Sequence, residues 1–334
     1  MNQKYGFVGA GRWALCLACH LDRLGEEVAL WEPNDEYRTN LLAQRRHPDL
    51  PDCASVPDSV VLSGDRAEVL DGADYVVFAV PSQSLPGAAR DCAMALDRRT
   101  KAIITATKGI EAATLERLSV ILQRTFPGRP VAVLAGPGIP YDFALGDPTS
   151  LVVASEDEAL ATSVRDRFTG ANLRVYSNPD TVGVELGAAL KNVYALGAGI
   201  ADGLGLGINA KSALLTRGLA EMTRLGLAMN ANPLTFSGLA GIGDLIVTAF
   251  AAHSRNHQLG MLIGSGTPLG DAVQSLNGVA EGVPALAAAR QLARRHRIEM
   301  PIAEELYGII HDGSDASRSI NRLLRRRTKR ETLD

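Results

Sequence analysis

Lys191 and Asn192 lie within residues 184–209, an almost uniformly apolar stretch of the chain. Alanine and glycine fill much of this stretch, so neighbouring backbones can pack closely against it, as around a buried central helix. A lysine placed there is removed from water, and desolvation lowers its pKa until it can give or take a proton near neutral pH. The stretch therefore predicts a buried acid–base lysine. The alternative is a lysine whose stem is buried while its ammonium reaches the surface or an acid such as Asp244.

Charged and polar side chains elsewhere could complete such a site. Arg255 carries a planar guanidinium that matches two phosphate oxygens, so it is a candidate for binding an anion. Lys108 follows a predicted strand, at the edge of the sheet where α/β proteins bind ligands. Asp244 and Thr248 are four residues apart and share one face of a predicted helix. For Lys108 and Arg255 the alternative is an ordinary exposed side chain.

The elements that must position these side chains begin with a glycine turn near the N-terminus. A buried strand at residues 5–8 runs into the sequence Gly-Ala-Gly-Arg-Trp-Ala of residues 9–14, and helical spacing follows. This order is the dinucleotide-binding fingerprint, in which Gly9 permits the turn, Gly11 lets a pyrophosphate approach the backbone and Ala14 lets the helix touch the strand.

A carboxylate at the end of the second predicted strand bears on the choice of cofactor. Residues 28–31 form that strand, and Glu32 follows it, about 20 residues past the glycines, where a carboxylate accepts the ribose hydroxyls of NAD and repels a 2′-phosphate. We therefore expect NAD as the cofactor, with NADH favoured over NADPH. The alternative is that Glu32 is only a solvated charge at the strand end.

The remaining pattern predicts an α/β fold with two domains. Prolines predict irregular structure from residue 34 to 65. The strand pattern stops after residue 176, and from residue 181 to the end nearly everything has helical periodicity. We expect a Rossmann-type doubly wound domain at residues 1–179 and an all-helical domain at 180–334. The loop at 136–140, Gly-Pro-Gly-Ile-Pro, could offer amide donors to a ligand or be only a tight turn. Further strands are predicted at 75–80, 102–106, 131–135, 151–154 and 173–176.

Composition argues against several classes of protein. The 334 residues carry a net charge of −3, which gives no overall attraction to nucleic acid or to an acidic membrane. No apolar run reaches the ~20 residues that span a bilayer, and no leader peptide precedes the first strand. We expect a cytoplasmic protein with no nucleic-acid partner and no integral membrane association. The arginine-rich stretch 322–330 favours a solvated helix or a frayed tail, because no aromatic residue is interleaved there.

Cys16 and Cys19 are spaced as in a redox pair, but both fall where the first predicted helix packs on the sheet. Buried thiols that behave as small apolar side chains are therefore the favoured interpretation. No second cysteine pair or histidine cluster accompanies them, so we expect no metal site.

Taken together, the chain resembles the NAD(P)-dependent glycerol-3-phosphate dehydrogenases of bacteria from residue 9 to about residue 301. No single motif is specific, but their combination is. The resemblance implies a helical domain of the 6-phosphogluconate dehydrogenase sort and interconversion of dihydroxyacetone phosphate and sn-glycerol 3-phosphate, which supplies phospholipid synthesis. The stretches that carry it are 9–13, 80–82, 107–109, 136–137, 185–207, 216–222, 238–245, 254–256 and 281–283.

The resemblance also implies roles for individual residues. Lys191 would be the general acid–base, with Lys108 and Asp244 beside it in the catalytic set. The implied substrate-binding residues are Lys108, Gly136, Gly138, Lys191, Asn192, Asp244, Thr248, Ser254, Arg255 and Asn256. The implied cofactor-binding residues are Gly9, Gly11, Arg12, Trp13, Glu32, Lys108, Pro140, Arg255, Val279 and Glu281.

Two departures from the family pattern leave alternatives open. Where the family usually has Gly-Ser-Trp-Gly, this chain has Arg12 and Ala14 in place of the serine and the last glycine. Where the family usually has Gly-Pro-Ser-Phe-Ala, a substrate-contacting hydroxyl is missing at Gly138, and Asp142 replaces the glutamate that follows. A dehydrogenase for another anionic or phosphorylated hydroxy compound is one alternative, and a non-catalytic nucleotide-binding protein is another. A small phosphorylated substrate is the expected partner, and a homodimer is left open.

Overall fold

The computed structural model describes residues 2–276 and 278–327. In this part of the chain, eight strands form one sheet in the order β3-β2-β1-β4-β5-β6-β7-β8. Neighbouring strands are parallel except β6 and β7, which are antiparallel. The strands are β1 Lys4–Val8, β2 Glu27–Trp31, β3 Val61–Ser63, β4 Tyr75–Phe78, β5 Ala102–Thr105, β6 Val131–Ala135, β7 Thr149–Ala154 and β8 Leu173–Asn178.

Helices cover both faces of this sheet. Val77 belongs to the apolar cluster on one face, and Val76 belongs to the cluster on the other. Successive residues of a strand point to opposite faces, so a strand covered on both sides must be apolar throughout, as β4 is. The helices of this sheet half are α1 Arg12–Arg23, α2 Asp35–Gln44, α3 Arg66–Leu70, α4 Leu85–Ala93, α5 Leu118–Thr125, α6 Pro140–Ala144 and α7 Glu158–Phe168.

The rest of the described chain is helical and surrounds one long helix, α8, Thr181–Gly203. Every residue of α8 from Val184 to Ala201 is buried, and Val184 and Ala188 pack against β6 and β7. Around it lie α9 Ile208–Ala228, α10 Pro233–Phe236, α11 Asp244–Phe250, α12 Arg255–Gly264, α13 Leu269–Ser275, α14 Gly282–His296, α15 Pro301–His311 and α16 Ala316–Leu324.

Glycines let α8 and α12 cross with their backbones in contact. A Cβ on Gly260 would overlap the carbonyl oxygen of Leu196, and one on Gly199 would overlap that of His257. No larger residue fits at these crossings without moving a helix. The crossing fixes the beginning of α12 against the middle of α8.

These observations confirm the predicted fold class, a Rossmann-type sheet half joined to a helical half. The predicted boundary between residues 179 and 180 falls between β8 and α8, and it stays a prediction. Cys16 and Cys19 are free, buried thiols on α1, as expected, and burial raises the pKa of both.

The prediction of irregular structure from residue 34 to 65 is wrong. The region contains α2 and β3. Asn34 caps α2 by accepting a hydrogen bond of 2.9 Å from the amide of Tyr37, and Leu41 is the one residue of α2 that is buried. A helix with so little apolar surface lacks the hydrophobic periodicity that sequence reasoning needs.

One window, Pro233–Phe250, is long and apolar enough to cross a membrane by length and composition, with a mean hydropathy of 1.4. It is divided among α10, a π-helical turn at Leu239–Gly243 and α11, and it contains the fully buried Asp244. Segments of a protein core pass the same test, so the window is weak evidence for a membrane span.

Candidate active site

Two lysines meet on one buried aspartate where the two halves touch. Lys191 donates to Oδ1 of Asp244 at 2.7 Å, and Lys108 donates to Oδ2 of the same carboxylate at 2.7 Å. Lys191 comes from α8, Asp244 begins α11, and Lys108 follows β5. We call Lys108, Lys191 and Asp244 the lysine–aspartate cluster. The structure combines the buried lysine of the first interpretation with the contact to Asp244 of the second.

 The lysine–aspartate cluster is shielded from solvent, because Lys191 is only 5% exposed and Asp244 is 0% exposed.

Two more polar groups complete the surroundings of the cluster. Thr248, one turn after Asp244 on α11, accepts from Lys191 at 2.6 Å and donates to the backbone oxygen of Asp244 at 2.7 Å. The carbonyl oxygen of Gly136, just after β6, accepts from Lys108 at 2.8 Å. The predicted sharing of a helix face by Asp244 and Thr248 is therefore confirmed.

The local sequence explains how α11 reaches α8. The turn before Asp244 is π-helical, Leu239–Gly243, and a Cβ on Gly187 would lie 2.5 Å from the carbonyl oxygen of Ala240 in this turn. Only glycine allows the two backbones to come so close. This contact places Asp244 directly beside Lys191, and π-helical turns of this kind are frequent at functional sites.

The electrostatics of the cluster favour proton transfer by Lys191. Burial lowers its pKa to about 8, with the charge of Lys108 acting in the same direction and that of Asp244 opposing both. A lysine with a pKa near 8 exchanges its proton readily at neutral pH, whereas an exposed lysine holds it.

A pair of asparagines extends the site toward α12. Asn256 donates to Oδ1 of Asn192 at 2.8 Å and accepts from the amide of Gly282 at 2.8 Å. Ser254 caps α12 by accepting from the amide of His257 at 3.3 Å. Because Asn192 follows Lys191 and Asn256 follows Arg255 in the chain, this contact links the buried lysine to the arginine.

Glu281 connects the helical half to the loop after β4. Its carboxylate accepts from the amide of Ser82 at 2.8 Å and from its hydroxyl at 2.5 Å, and burial raises the pKa of Glu281. A second carboxylate, Glu185 on α8, accepts from the amide of Ser119 at 2.8 Å and its hydroxyl at 2.6 Å. Both carboxylates therefore join the two halves of the molecule.

The glycine turn has the space and the free helix end that a dinucleotide needs. Gly9 has φ +103°, a conformation that favours glycine. A Cβ on Gly11 would meet nothing within 4 Å, and no side chain caps the first turn of α1. Amides at such a helix end bind phosphate well. These residues therefore fit the pyrophosphate of NAD or NADP.

Glu32 is the first residue after β2. It follows β2, whose last residue, Trp31, accepts a hydrogen bond of 3.0 Å from the amide of Gly9. Its carboxylate accepts from the amide of Asn34 at 3.0 Å, and Arg38 donates to its backbone oxygen at 2.8 Å. A carboxylate and a guanidinium therefore lie close together at the end of β2.

A cavity of about 510 Å³ separates the two halves beside the glycine turn. Arg12 and Arg255 line it from opposite halves, and Arg12 lies 3.9 Å from Asp49. Burial lowers the pKa of Arg255 to about 10, and the charge of Arg12 adds to this effect. An anion between the two guanidinium groups would relieve their repulsion.

The remaining predicted residues lie around this cleft or near it. Gly138 packs against the indole of Trp13, and a Cβ there would lie 2.7 Å from Cη2 of that ring. Pro140 begins α6, and Val279 is 48% exposed. The indole of Trp13 therefore occupies the space that a serine side chain at position 138 would need.

Sequence reasoning missed three contributors to the cleft. Asp49 comes from the region predicted to be irregular, and the rings of Tyr141 and His253 stack at 4.1 Å across the two halves. Each is remote in sequence from its partner, and no local motif marks it. Among residues 2–276 and 278–327, no group of three His, Cys, Asp or Glu side chains is placed to hold a metal ion.

Comparison with known proteins gives one consistent result. The family model described as NAD-dependent glycerol-3-phosphate dehydrogenase N-terminus matches residues 4–161, and that of the C-terminus matches residues 180–321. A glycerol-3-phosphate dehydrogenase, NAD(P)+, of Desulfitobacterium hafniense is 44% identical over 330 residues, which are 98% of this chain and 93% of that protein. One from Geobacter sulfurreducens is 41% identical over 99% of both chains.

Solved structures agree with the sequence comparisons. The crystal structure of glycerol-3-phosphate dehydrogenase from Coxiella burnetii superposes with a TM-score of 0.93 at 32% identity, covering 97% of this chain and 99% of that one. A D-mandelate dehydrogenase with NADH superposes with a TM-score of 0.64 at 14% identity, which shows a shared fold alone.

Proposed function

The chain belongs to the NAD-dependent glycerol-3-phosphate dehydrogenase family, and from this premise we propose that it interconverts dihydroxyacetone phosphate and sn-glycerol 3-phosphate. It is an oxidoreductase that uses NAD or NADP. The observation that carries the proposal is the lysine–aspartate cluster, in which a buried lysine with a lowered pKa lies on the helical half, facing the carboxyl edge of the dinucleotide-binding sheet.

Lys191 is the proton donor and acceptor of the proposed reaction. In the direction of reduction, its ammonium gives a proton to the carbonyl oxygen of the substrate, and in the direction of oxidation its amine takes the proton from the hydroxyl. When bound, the dinucleotide supplies or accepts the hydride through its nicotinamide. Asp244 and Thr248 hold the ammonium in place through the contacts of 2.7 and 2.6 Å.

Lys108 and Arg255 give the site its preference for an anion. Lys108 adds a second positive charge to the cluster and stabilises negative charge that develops on the substrate oxygen. Arg255 offers a planar fork to the substrate phosphate, and its neighbour Asn256 is held by Asn192 and Gly282. Gly136 and Ser254 border the same space.

The glycine turn would hold the dinucleotide in this proposal. Gly9, Gly11, Arg12 and Trp13 would hold its pyrophosphate, and Glu32 would accept hydrogen bonds from the hydroxyls of the adenosine ribose. We infer that NADH is favoured over NADPH, because the carboxylate repels a 2′-phosphate. Pro140, Val279 and Glu281 complete the cofactor side of the cleft.

The proposed product is the backbone of glycerophospholipids, so the enzyme would supply phospholipid synthesis from the cytoplasm. Its partner is then a small phosphorylated molecule. Two lysines on one buried carboxylate, one of them with a lowered pKa, favour an enzyme over a protein that only binds nucleotides.

Turnover tests the proposal directly. Oxidation of NADH is followed with dihydroxyacetone phosphate as the acceptor, for the wild type, Lys191→Ala and the surface variant Lys101→Ala. Loss of a general acid lowers kcat by about a hundredfold to ten-thousandfold, so Lys191→Ala should be nearly inactive while Lys101→Ala is unchanged. Equal rates in the wild type and Lys191→Ala would remove Lys191 from the chemistry, and no turnover in the wild type would overturn the proposed reaction.

A further inference from the structure

Seven arginines lie where the ends of α9, α14 and α16 approach one another. Glu299 marks the centre of this surface, since Arg224 donates to its carbonyl oxygen at 3.0 Å and Arg326 lies 3.2 Å from its carboxylate. Three more arginines end α14 just before Glu299, and two flank Arg326 in the chain. We call this surface the arginine face, and its members are Arg224, Arg294, Arg295, Arg297, Arg325, Arg326 and Arg327.

The positive charge of the arginine face is only partly compensated. Residues 290–327 contain nine arginines against five aspartates and glutamates, whereas the whole chain has a net charge of −3. Arg294 lies 3.4 Å from Glu304 and Arg326 lies 3.2 Å from Glu299, but six of the seven arginines are exposed. The face therefore presents a concentrated positive field to whatever approaches it.

Apolar side chains stand exposed among these arginines. Leu324 at the end of α16 is 77% exposed, and Leu227 near the end of α9 is 48% exposed. On the other side of α16, Ser319 is buried and Leu323 is half-buried against the helical half. Arginines beside exposed leucines on a short amphipathic helix are typical of segments that lie in the interface of a membrane.

We propose that the arginine face binds the surface of an anionic phospholipid bilayer. The guanidinium groups pair with headgroup phosphates, and Leu324 enters the boundary between headgroups and acyl chains. A single-stranded nucleic acid fits less well, because proteins that bind one stack its bases on aromatic side chains, and the seven named positions and both exposed neighbours are arginine or leucine.

Docking at this face leaves the active site accessible. Helix α14 has 15 residues, and at 1.5 Å per residue it is about 22 Å long. Its first residue, Gly282, donates to Asn256 at the active site, whereas its last turn carries Arg294 and Arg295. The cleft and the arginine face are therefore separated by about the length of this helix.

Vesicle binding by the full chain tests the proposal. Sedimentation is measured with vesicles of phosphatidylcholine alone and with vesicles that contain about one third phosphatidylglycerol, with no dinucleotide or substrate present. Each arginine near an anionic surface strengthens binding by about fivefold. The triple variant Arg325→Gln, Arg326→Gln, Arg327→Gln should therefore bind anionic vesicles about 100-fold more weakly. Leu324→Ser should also weaken binding, and added salt should release the wild type.

A matched control removes three exposed arginines from the sheet half, Arg66→Gln, Arg90→Gln and Arg98→Gln, and it should bind vesicles like the wild type. Turnover should be the same in all these variants, because none of the substituted residues lies in the active site. Equal binding to neutral and anionic vesicles, or equal losses in the triple variant and its control, would overturn the proposal. So would binding of a single-stranded RNA with no binding to anionic vesicles.

Discussion

Gly138 packs against Trp13 so closely that a Cβ at position 138 would lie 2.7 Å from Cη2 of the indole. Trp13 also packs edge-on against Phe143, with ring centroids 5.7 Å apart. The missing hydroxyl at position 138 is therefore not simply a gap in the substrate site. The space that a serine side chain would need is taken by a ring beside the glycine turn.

This contact predicts the effect of restoring the serine. Gly138→Ser should not strengthen binding of dihydroxyacetone phosphate, and it should weaken binding of NADH by about fivefold to a hundredfold, because overpacking costs about 1–3 kcal/mol. NADH binding is measured by fluorescence without substrate, and KM for the ketone is measured at saturating NADH. Adding Trp13→Leu to Gly138→Ser frees the space and serves as the control for overpacking. A lower KM with unchanged NADH binding would contradict the prediction.

The pH dependence of reduction should report the titration of Lys191. Reduction needs the ammonium, so kcat/KM should be constant at low pH and fall as the pH rises through about 8, the pKa to which burial lowers this group. In the direction of oxidation the amine is required, and the rate should rise through the same pH. Initial rates measured against pH in both directions test whether reduction slows and oxidation accelerates as the pH rises.

Variants of Lys108 and of Asp244 should move the titration of Lys191 in opposite directions. Lys108→Met removes a like charge that lowers the pKa of Lys191, so the falling limb should move to higher pH. Asp244→Asn removes a negative charge that raises the pKa of Lys191, so the falling limb should move to lower pH. The positions of the limbs are compared, since both variants will also be slower. Limbs that stay at the same pH in both variants would mean that another group titrates.

The choice between NADH and NADPH should depend on Glu32. Glu32→Arg replaces a charge that repels the 2′-phosphate by one that binds it, and the ratio of kcat/KM for NADPH to that for NADH should rise by about tenfold or more. Glu27→Arg, at the opposite end of β2 and exposed, makes the same charge change away from the ribose and should leave the ratio unaltered. A ratio that is unchanged in Glu32→Arg would show that Glu32 is remote from the ribose.

Local patterns predict the parts of the candidate site that depend on neighbours in sequence. Gly9, Gly11 and Glu32 belong to one strand–turn–helix–strand unit, and the apolar surroundings of Lys191 predict its burial. Helix α2 is not evident from the sequence pattern, because its surface is nearly all polar. Its cap, Asn34, is the one local signal. A short or polar element gives hydrophobic periodicity nothing to detect.

Features built from distant residues could not be predicted in this way. Asp49 approaches Arg12 across 37 residues of sequence, and Tyr141 stacks on His253 from the other half. The stretch 322–330 was interpreted alone, as a solvated helix or a frayed tail, and its last three residues lie outside the described part of the chain. The arginines of α9 and α14 that share its surface become its neighbours only through the fold.

The crossing of α8 and α12 should be among the least tolerant parts of the molecule. A Cβ on Gly260 would overlap the carbonyl oxygen of Leu196 and lie 2.8 Å from the amide nitrogen of Ile200. Both are backbone atoms, so no rotation of a side chain can make room. Gly260→Ala should therefore destabilise the protein by about 1–3 kcal/mol or more, and it should also lower activity, since displacing α12 moves Arg255 and Asn256.

Melting temperature and turnover are measured together for Gly260→Ala and for a matched variant, Gly270→Ala. Gly270 lies in α13 with nothing within 4 Å of its Cβ position, so alanine there should stabilise the helix by about 0.5–1 kcal/mol. A lower melting temperature in the first variant and an equal or higher one in the second separates close helix packing from the general effect of replacing a helical glycine. If Gly260→Ala melted like the wild type with full activity, α8 and α12 could not be in backbone contact.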